Sequence, residues 1–393
     1  MEVTMFQMGF GESILLHDDE SCLLVDCGSE SPHKEDCFAN VVRELEKYQN
    51  RSLLISHFHT DHINGIKYLC EKYSHGFNMI YVPDIFTAGN RSLDLLITQW
   101  LLEGIMNQRR RAYHIWHLLL DLVKAKLCIR PIRRDDQFTA ASCDFQALWP
   151  MPDEIAPELE RVWDLVNDRL PYYQQFCSNT EQLVSQTNEV VLALSRSNLS
   201  NEEYTQQEKR LKLLIEIYDN AQNSYIETIK VEIGIEKFKR QIQELYEHIS
   251  NVNDTSIVFH TVGTSTNRVL MTGDAGTTTL ERIIDEMSIN HTSKMIHYDI
   301  IKAPHHGTKS CYIDFTRYFE FDTLMISNGR TTRPDSKRGT IYEGYLQNTA
   351  TYNVACTNTI HGRCEYIKNK EDTSQCSEHC PNCLVRYPQI NIP

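Results

Sequence analysis

Ser56-His57-Phe58-His59-Thr60-Asp61-His62-Ile63-Asn64-Gly65 follows directly on the apolar run Leu53-Leu54-Ile55. The apolar run reads as a buried strand. Three histidines and an aspartate then fall between His57 and His62. Imidazole nitrogens and carboxylate oxygens are the ligand types of zinc and related divalent ions. On an extended chain His57 and His59 point to one side. Asp61 and His62 come where the chain turns toward a helix, so they face a second metal position. A turn that is rich in histidine by accident has no reason to follow a buried strand at this ligand density.

Outward from that stretch, two apolar strands flank the polar turn Asp18-Asp19-Glu20: Ile14-Leu15-Leu16 and Cys22-Leu23-Leu24-Val25-Asp26-Cys27-Gly28. This is a hairpin pattern. Helical spacing predicts a surface helix over 38–48; 66–73 reads as a helix and 79–83 as a strand closed by Pro83. Residues 92–127 read as mainly helical, with Arg109-Arg110-Arg111, His114 and His117 on an exposed basic helix without a metal role. Strands follow at 127–132 and 144–149. Residues 151–250, rich in Glu, Gln, Lys, Leu and Asn, predict two or three long helices, an antiparallel hairpin. Strands resume at 253–259, 269–275, 300–302 and 323–329, with a helix over 280–287. His260 sits inside a strand and reads as structural.

The His-x-His-x-Asp-His run after a strand resembles the signature of the metallo-β-lactamase superfamily. Thr272-Gly273-Asp274 after an apolar strand resembles the superfamily's metal-bridging aspartate, and Gly9-Phe10-Gly11-Glu12-Ser13 and Ile300-Ile301-Lys302-Ala303-Pro304-His305-His306-Gly307 resemble one branch of it, the lactamase-like domain of the ComEC competence protein and its relatives. The resemblance covers about residues 3–84, 128–150 and 253–355. It implies an α/β fold, the four-layer αβ/βα metallo-β-lactamase sandwich, here with a helical insertion and a Cys-rich C-terminal tail. The domains would then be 1–150 and 251–355 as the two halves of the sandwich, 151–250 as the insertion and 356–393 as a zinc-binding tail.

The same resemblance implies a dinuclear metal site, zinc or manganese. His57 and His59 would hold one ion, Asp61, His62 and His305 the other, and Asp274 would bridge them. Asp26 would support the metal-loop backbone. Asp61 and His306 are the catalytic candidates. The superfamily's third histidine on the first metal is replaced here by Asn253-Asp254. Asp254 reads equally as an oxygen ligand and as a turn cap. The branch's later histidine-proline is replaced by the basic loop Arg330-Thr331-Thr332-Arg333-Pro334-Asp335-Ser336-Lys337-Arg338. With Lys302 and Lys309, that loop forms a rim able to bind phosphate; Lys309, Arg330, Arg333 and Arg338 are the substrate-binding candidates.

Cys364, Cys376, Cys380 and Cys383 crowd the tail at zinc-knuckle spacing and are the candidates for one structural zinc. The 393-residue chain carries a formal net charge of -14. That argues weakly against broad nucleic-acid binding, although a local basic patch is compatible with it. No apolar run is long enough to cross a bilayer and no secretory signal opens the chain, so a cytoplasmic protein without membrane contact is expected. The first expectation for function is a metal-dependent phosphodiesterase, a nuclease acting on DNA. The alternatives are hydrolysis of a small molecule (cyclic nucleotide, lactone or thioester) and an effector subunit of a larger assembly. In that last case the helical insertion would dock a protein partner or a second copy.

Overall fold

The computed structural model describes residues 1–31, 33–72, 76–86, 92–107, 113–151, 173–240, 253, 255–263, 268–290, 295–329, 341–346, 351–357 and 389–392. Its chain divides into two compact units. The first comprises Met1–Pro83, Ile132–Pro150 and Ser256–Pro393, the second Asp84–Pro131 and Met151–Thr255.

The first unit is built on two mixed sheets. The strands are β1 (Glu2–Phe6), β2 (Ile14–His17), β3 (Ser21–Val25), β4 (Asn50–Leu54), β5 (Met79–Pro83), β6 (Ile129–Ile132), β7 (Gln137–Ala140), β8 (Cys143–Trp149), β9 (Val258–Thr261), β10 (Val269–Met271), β11 (Ile296–Lys302), β12 (Phe319–Ile326), β13 (Asn353–Cys356) and β14 (Gln389–Ile392). One sheet runs β14-β1-β2-β3-β4-β5-β6 and the other β13-β12-β11-β10-β9-β8-β7. In the first, β1, β2 and β3 form an antiparallel meander, and β3, β4 and β5 run parallel. In the second, β10 to β13 run parallel and β7 to β10 antiparallel.

The two sheets share one core. Val3, Met5, Ile14, Leu16, Leu23, Val25 and Leu54 from the first meet Phe138, Phe145, Phe259, Met271 and Met325 from the second. The intervening residues Leu15, Leu24 and Leu53 are buried as well. Period two puts them on the opposite face. A sheet covered on both faces explains why these strands read as continuous apolar runs rather than alternating ones. Helix α1 (Lys34–Leu45) buries Phe38, Val41 and Leu45, the short α2 (Thr60–Ile63) buries His62 and Ile63, and α3 (Ile66–Lys72) buries Ile66 and Leu69. The helix Thr277–Asn290 lies beside the second sheet, with Arg282 5.9 Å over the Trp149 ring and Glu286 paired to Arg134 at 2.5 Å.

This is the α/β two-sheet arrangement expected from the sequence. The tail enters it directly: β14 pairs antiparallel with β1, Val3 opposite Ile392 and Phe6 opposite Gln389. Cys364, Cys376, Cys380 and Cys383 lie outside the described residues.

The second unit is helical. It contains α4 (Ser92–Asn107), α5 (Ile115–Lys124) and the two long helices Tyr173–Leu194 and Asn201–Glu232. Ser200 caps the last of these with a complete capping box: its side chain accepts from the Glu203 N–H and the Glu203 carboxylate accepts from the Ser200 N–H. The helix buries Tyr204, Leu211, Leu214, Tyr218, Tyr225 and Ile229, a stripe at helical spacing.

The unit takes in 84–131, a stretch the sequence reading gave to the first half of the sandwich. The reason is packing. The Trp116 indole donates to Thr187 Oγ1 at 2.7 Å and the Tyr204 hydroxyl to Lys126 O at 3.0 Å, tying α5 to the long helices. His114 is likewise not exposed. It is buried against Trp116 and Tyr218, with ring centroids at 4.9 and 5.1 Å, and its Nδ1 lies 3.2 Å from His117 Nδ1. Burial, and then the neighbouring His117, pull the His114 pKa well below the usual range. No described helix is long and apolar enough to cross a membrane.

Candidate metal centre

The candidate residues gather at the carboxyl ends of parallel strands, where open α/β sheets bind their ligands. Asp26 follows β3, the loop from Ile55 to His59 follows β4, Asp274 follows β10, His305 and His306 follow β11, and Ser327 follows β12. Three segments of the first sheet are laced together there. The Glu12 N–H donates to Asp61 O at 3.1 Å, the Cys27 N–H to His62 O at 2.9 Å, and the Gly28 N–H to Glu12 O at 3.0 Å. Bonds to backbone carbonyls also cross between the sheets, among them Ile257 N–H to Ser56 O at 2.8 Å and the Ser327 hydroxyl to Gly11 O at 2.9 Å.

Gly28 makes that lacing possible. A Cβ at this position would sit 2.2 Å from the Asp61 carbonyl carbon and 2.3 Å from the His62 nitrogen. Both obstacles are backbone of the ligand loop, so nothing there can turn aside. Gly28→Ala is therefore expected to cost about 3 kcal/mol of stability through overpacking. Urea denaturation would measure this; a stability within about 0.5 kcal/mol of wild type, the range of neutral surface changes, would disprove the wedge.

Asp26 does what the family resemblance implies. Its Oδ1 accepts from the Ser56 N–H at 2.7 Å, and its Oδ2 accepts from the Ser56 hydroxyl at 2.6 Å and faces His62 Nδ1 at 2.7 Å. Asp26 itself is held at φ 59. With Nδ1 so occupied, the His62 ring turns Nε2 toward Asp274 Oδ2, 3.2 Å away. A carboxylate behind a histidine that orients its other nitrogen is the usual outer support of a metal-ligand imidazole.

His57 lies on the same side, its Nε2 2.9 Å from His59 Nδ1 and 3.9 Å from Asp274 Oδ2. Two metal-ligand groupings result, His57-His62-Asp274 and Asp61-His62-His306, with the donor atoms of each within 4.8 Å of one another.

The neighbouring histidines after β11 differ from expectation. His306, rather than His305, brings Nε2 to 3.3 Å from Asp61 Oδ2 and 3.5 Å from Asp274 Oδ2. His306 Nδ1 donates to the Ser327 carbonyl at 2.9 Å, which leaves Nε2 as the inward atom. His305 instead places Nδ1 3.3 Å from Cys311 Sγ and 3.5 Å from Ser310 Oγ. The cause is the backbone: His305, His306 and Gly307 are all left-handed, at φ 45, 56 and 72. Two consecutive non-glycine residues in that region are strained, a feature that concentrates at functional sites.

Lys302 also departs from expectation. It is not a rim cation for phosphate but is fully buried, its Nζ 2.8 Å from Glu12 Oε2, 3.3 Å from Asp274 Oδ1 and 2.6 Å from Gly273 O. Glu12 is the member of the site that sequence reasoning left without a role, and Lys302 the one it placed on the rim instead. A lysine in the otherwise apolar run Ile300-Ile301-Lys302-Ala303 was the signal for one, and the glutamate in Gly9-Phe10-Gly11-Glu12 for the other.

Electrostatics favour positive charge at the centre. Burial raises the Asp274 carboxyl, but His62, His306 and Lys302 outweigh it and hold the pKa well below the usual range. Asp61 is also low: burial works upward, while contact with His306 and the charge of His62 win. Burial would lower His62 and His306, yet Asp274 in each case, with Asp26 or Asp61, raises them. His57 is the exception, pushed well below the usual range by burial and then by His62 and His59. His305 is lowered to about 4, chiefly by burial.

These residues fit a divalent metal centre. The buried His306 Nε2 has no hydrogen-bond partner although it lies between two carboxylates. Imidazole nitrogens alternate with carboxylate oxygens, the donor set of zinc and manganese. Of the remaining candidates, Lys309 is exposed, its Nζ 5.5 Å from the Tyr342 ring centroid. Asp254, Arg330, Arg333 and Arg338 lie outside the described residues. His260 is structural, buried in β9 with Nδ1 2.8 Å from the Tyr298 hydroxyl.

Among solved structures, the chain is similar to the metallo-beta-lactamase fold protein YhfI from Bacillus subtilis, 12% identical over 83% of this chain and 85% of that one, with a TM-score of 0.35. It is also similar to MEM-A1, a subclass B3 metallo-beta-lactamase from a soil metagenome library, 17% identical over 37% of this chain and 48% of that one, with a TM-score of 0.23. No curated protein matches the chain. Residues 4–147 match the model of a protein family described as anti-Pycsar protein Apyc1, a different description from the ComEC-like branch.

Proposed function

We propose that the chain is a metal-dependent phosphodiesterase that opens a small cyclic nucleotide. The observation that carries the reading is the pair of groupings His57-His62-Asp274 and Asp61-His62-His306, which share His62 and are fully or largely buried. His57, His59 and Asp274 would hold one divalent ion, zinc or manganese, and Asp61, His62, His306 and Asp274 a second. When bound, such a pair of ions acidifies a water and polarises a phosphoryl group. The chain's own residues do the rest. Asp26 orients His62, the Ser327 carbonyl orients His306, and the Asp274 carboxylate supplies negative charge between the imidazoles.

The choice of a small substrate over DNA rests on charge and on the family match. Lys302 is removed from the expected basic rim, and the chain as a whole is acidic. A polymer would need several phosphate contacts along a groove. The anti-Pycsar description of the family matched over residues 4–147 fits the cyclic-nucleotide reading.

The test is elemental analysis of the purified protein, followed by turnover assays with cyclic mononucleotides, cyclic dinucleotides, and linear, circular and single-stranded DNA at equal phosphodiester concentration. The expected result is bound divalent metal and chelator-sensitive ring opening of a cyclic nucleotide, with DNA left intact. Cleavage of DNA without any cyclic nucleotide turnover would restore the nuclease reading. Protein free of divalent metal and inactive toward every substrate would overturn both.

A further inference from the structure

We propose that the buried pair Glu12–Lys302 is a clamp that divides the two oxygens of Asp274, holding Oδ1 so that Oδ2 alone faces the histidines. This rests on the reading of the site as a metal centre. Lys302 Nζ lies 3.3 Å from Asp274 Oδ1. The other oxygen, Oδ2, is the one that meets His62 Nε2 at 3.2 Å, His306 Nε2 at 3.5 Å and His57 Nε2 at 3.9 Å. The carboxylate therefore has two oxygens with different partners, and a partial rotation about the Cβ–Cγ bond would carry Oδ2 out of line with the three imidazoles. Lys302 blocks that rotation.

Lys302 is itself fixed from two further directions, by Glu12 Oε2 at 2.8 Å and by the Gly273 carbonyl at 2.6 Å. Gly273 stands immediately before Asp274, in left-handed backbone at φ 52. The ammonium therefore holds both the peptide that launches the aspartate and the aspartate's own oxygen. Glu12 keeps the net charge of the pair at zero, so Lys302 positions Asp274 without adding net charge beside the ions. Burial raises the Glu12 carboxyl and the Lys302 charge opposes that; burial lowers Lys302, and Glu12 with Asp274 outweigh it and keep it charged.

The clamp also joins the two sheets. Glu12 comes from the loop between β1 and β2, whose backbone N–H is bonded to Asp61 O, and Lys302 ends β11. An outer group that orients a ligand is often as consequential as the ligand itself. Glu12 and Lys302 act through Asp274 and are positioning residues.

The test replaces the pair together. Breaking a buried ion pair on one side leaves an uncompensated charge, whereas replacing both members with apolar residues of similar volume is often neutral. Glu12→Leu with Lys302→Met leaves the net charge unchanged, so any effect on metal binding reports position rather than charge. The double variant, stripped of metal, is expected to melt within a few degrees of stripped wild type. Its affinity for the more weakly held zinc ion should fall at least tenfold by competition with a chromophoric chelator, and kcat should fall with KM within twofold.

Glu12→Gln serves where the double variant does not fold. Freed of Glu12, Lys302 draws Asp274 toward itself, and the same affinity should fall several-fold. Two zinc ions at wild-type affinity in whichever folded variant is measured would overturn the clamp while leaving the metal centre standing. A wild type that binds no divalent ion would overturn both.

Discussion

Asp274→Asn is expected to remove bound divalent metal and to lower phosphodiester hydrolysis by at least about a thousand-fold, roughly 4 kcal/mol of transition-state stabilisation. The size follows from the place of one oxygen. Asp274 Oδ2 lies 3.2, 3.5 and 3.9 Å from the inward nitrogens of His62, His306 and His57, so a single atom serves three imidazoles. An amide of the same shape carries no charge and can present an NH2 to those nitrogens in place of an acceptor. The negative charge is also what raises His62 and His306 against the effect of burial.

The fold should survive the exchange. Lys302 keeps Glu12 at 2.8 Å, and His62 keeps Asp26 at 2.7 Å, so neither buried cation is left alone. Elemental analysis, initial rates and a thermal melt of one preparation give the three readouts. A variant with the metal content of wild type and a rate within tenfold of it would remove Asp274 from the centre.

The order of strands and the ligand loop were legible because their signals are local. A strand ending in Val25-Asp26-Cys27-Gly28 and another ending at the histidine loop are read from residues adjacent in sequence. What was not legible depends on contacts between distant segments. Glu12 and Lys302 are far apart in the chain and meet only because β2 and β11 belong to sheets that close on one another. Taken singly, a lysine beside two histidines reads as a surface phosphate ligand, and only the partner across the sheets makes burial of its charge affordable. The packing of residues 84–131 was not legible for a related reason: α5 has an apolar face, but a helix face does not name the element that will cover it. Of the adjacent pair His305-His306 the sequence reading took His305 as the ligand; the residue types leave that choice ambiguous, because which ring turns inward lies in backbone dihedrals, which composition does not encode.

That ambiguity can be settled by exchanging each histidine for asparagine, the non-glycine residue that best tolerates the left-handed backbone both occupy. His306→Asn should lose at least about a hundred-fold in kcat/KM, close to 3 kcal/mol, together with one metal ion per chain. Its imidazole is fully buried, fixed through Nδ1 by the Ser327 carbonyl, and set with Nε2 between Asp61 and Asp274. Asparagine is too short to span from that backbone to both carboxylates, so the position would empty of its nitrogen without added strain.

His305→Asn should keep both ions and lose less than about tenfold, since the ring it removes faces Cys311 and Ser310 through Nδ1 rather than closing either metal-ligand grouping. The two variants share a backbone setting and differ by one residue in position, so any penalty from φ alone cancels in the comparison. Metal loss in His305→Asn with full occupancy in His306→Asn would reverse the assignment and restore the ligand set expected from the sequence, Asp61, His62 and His305.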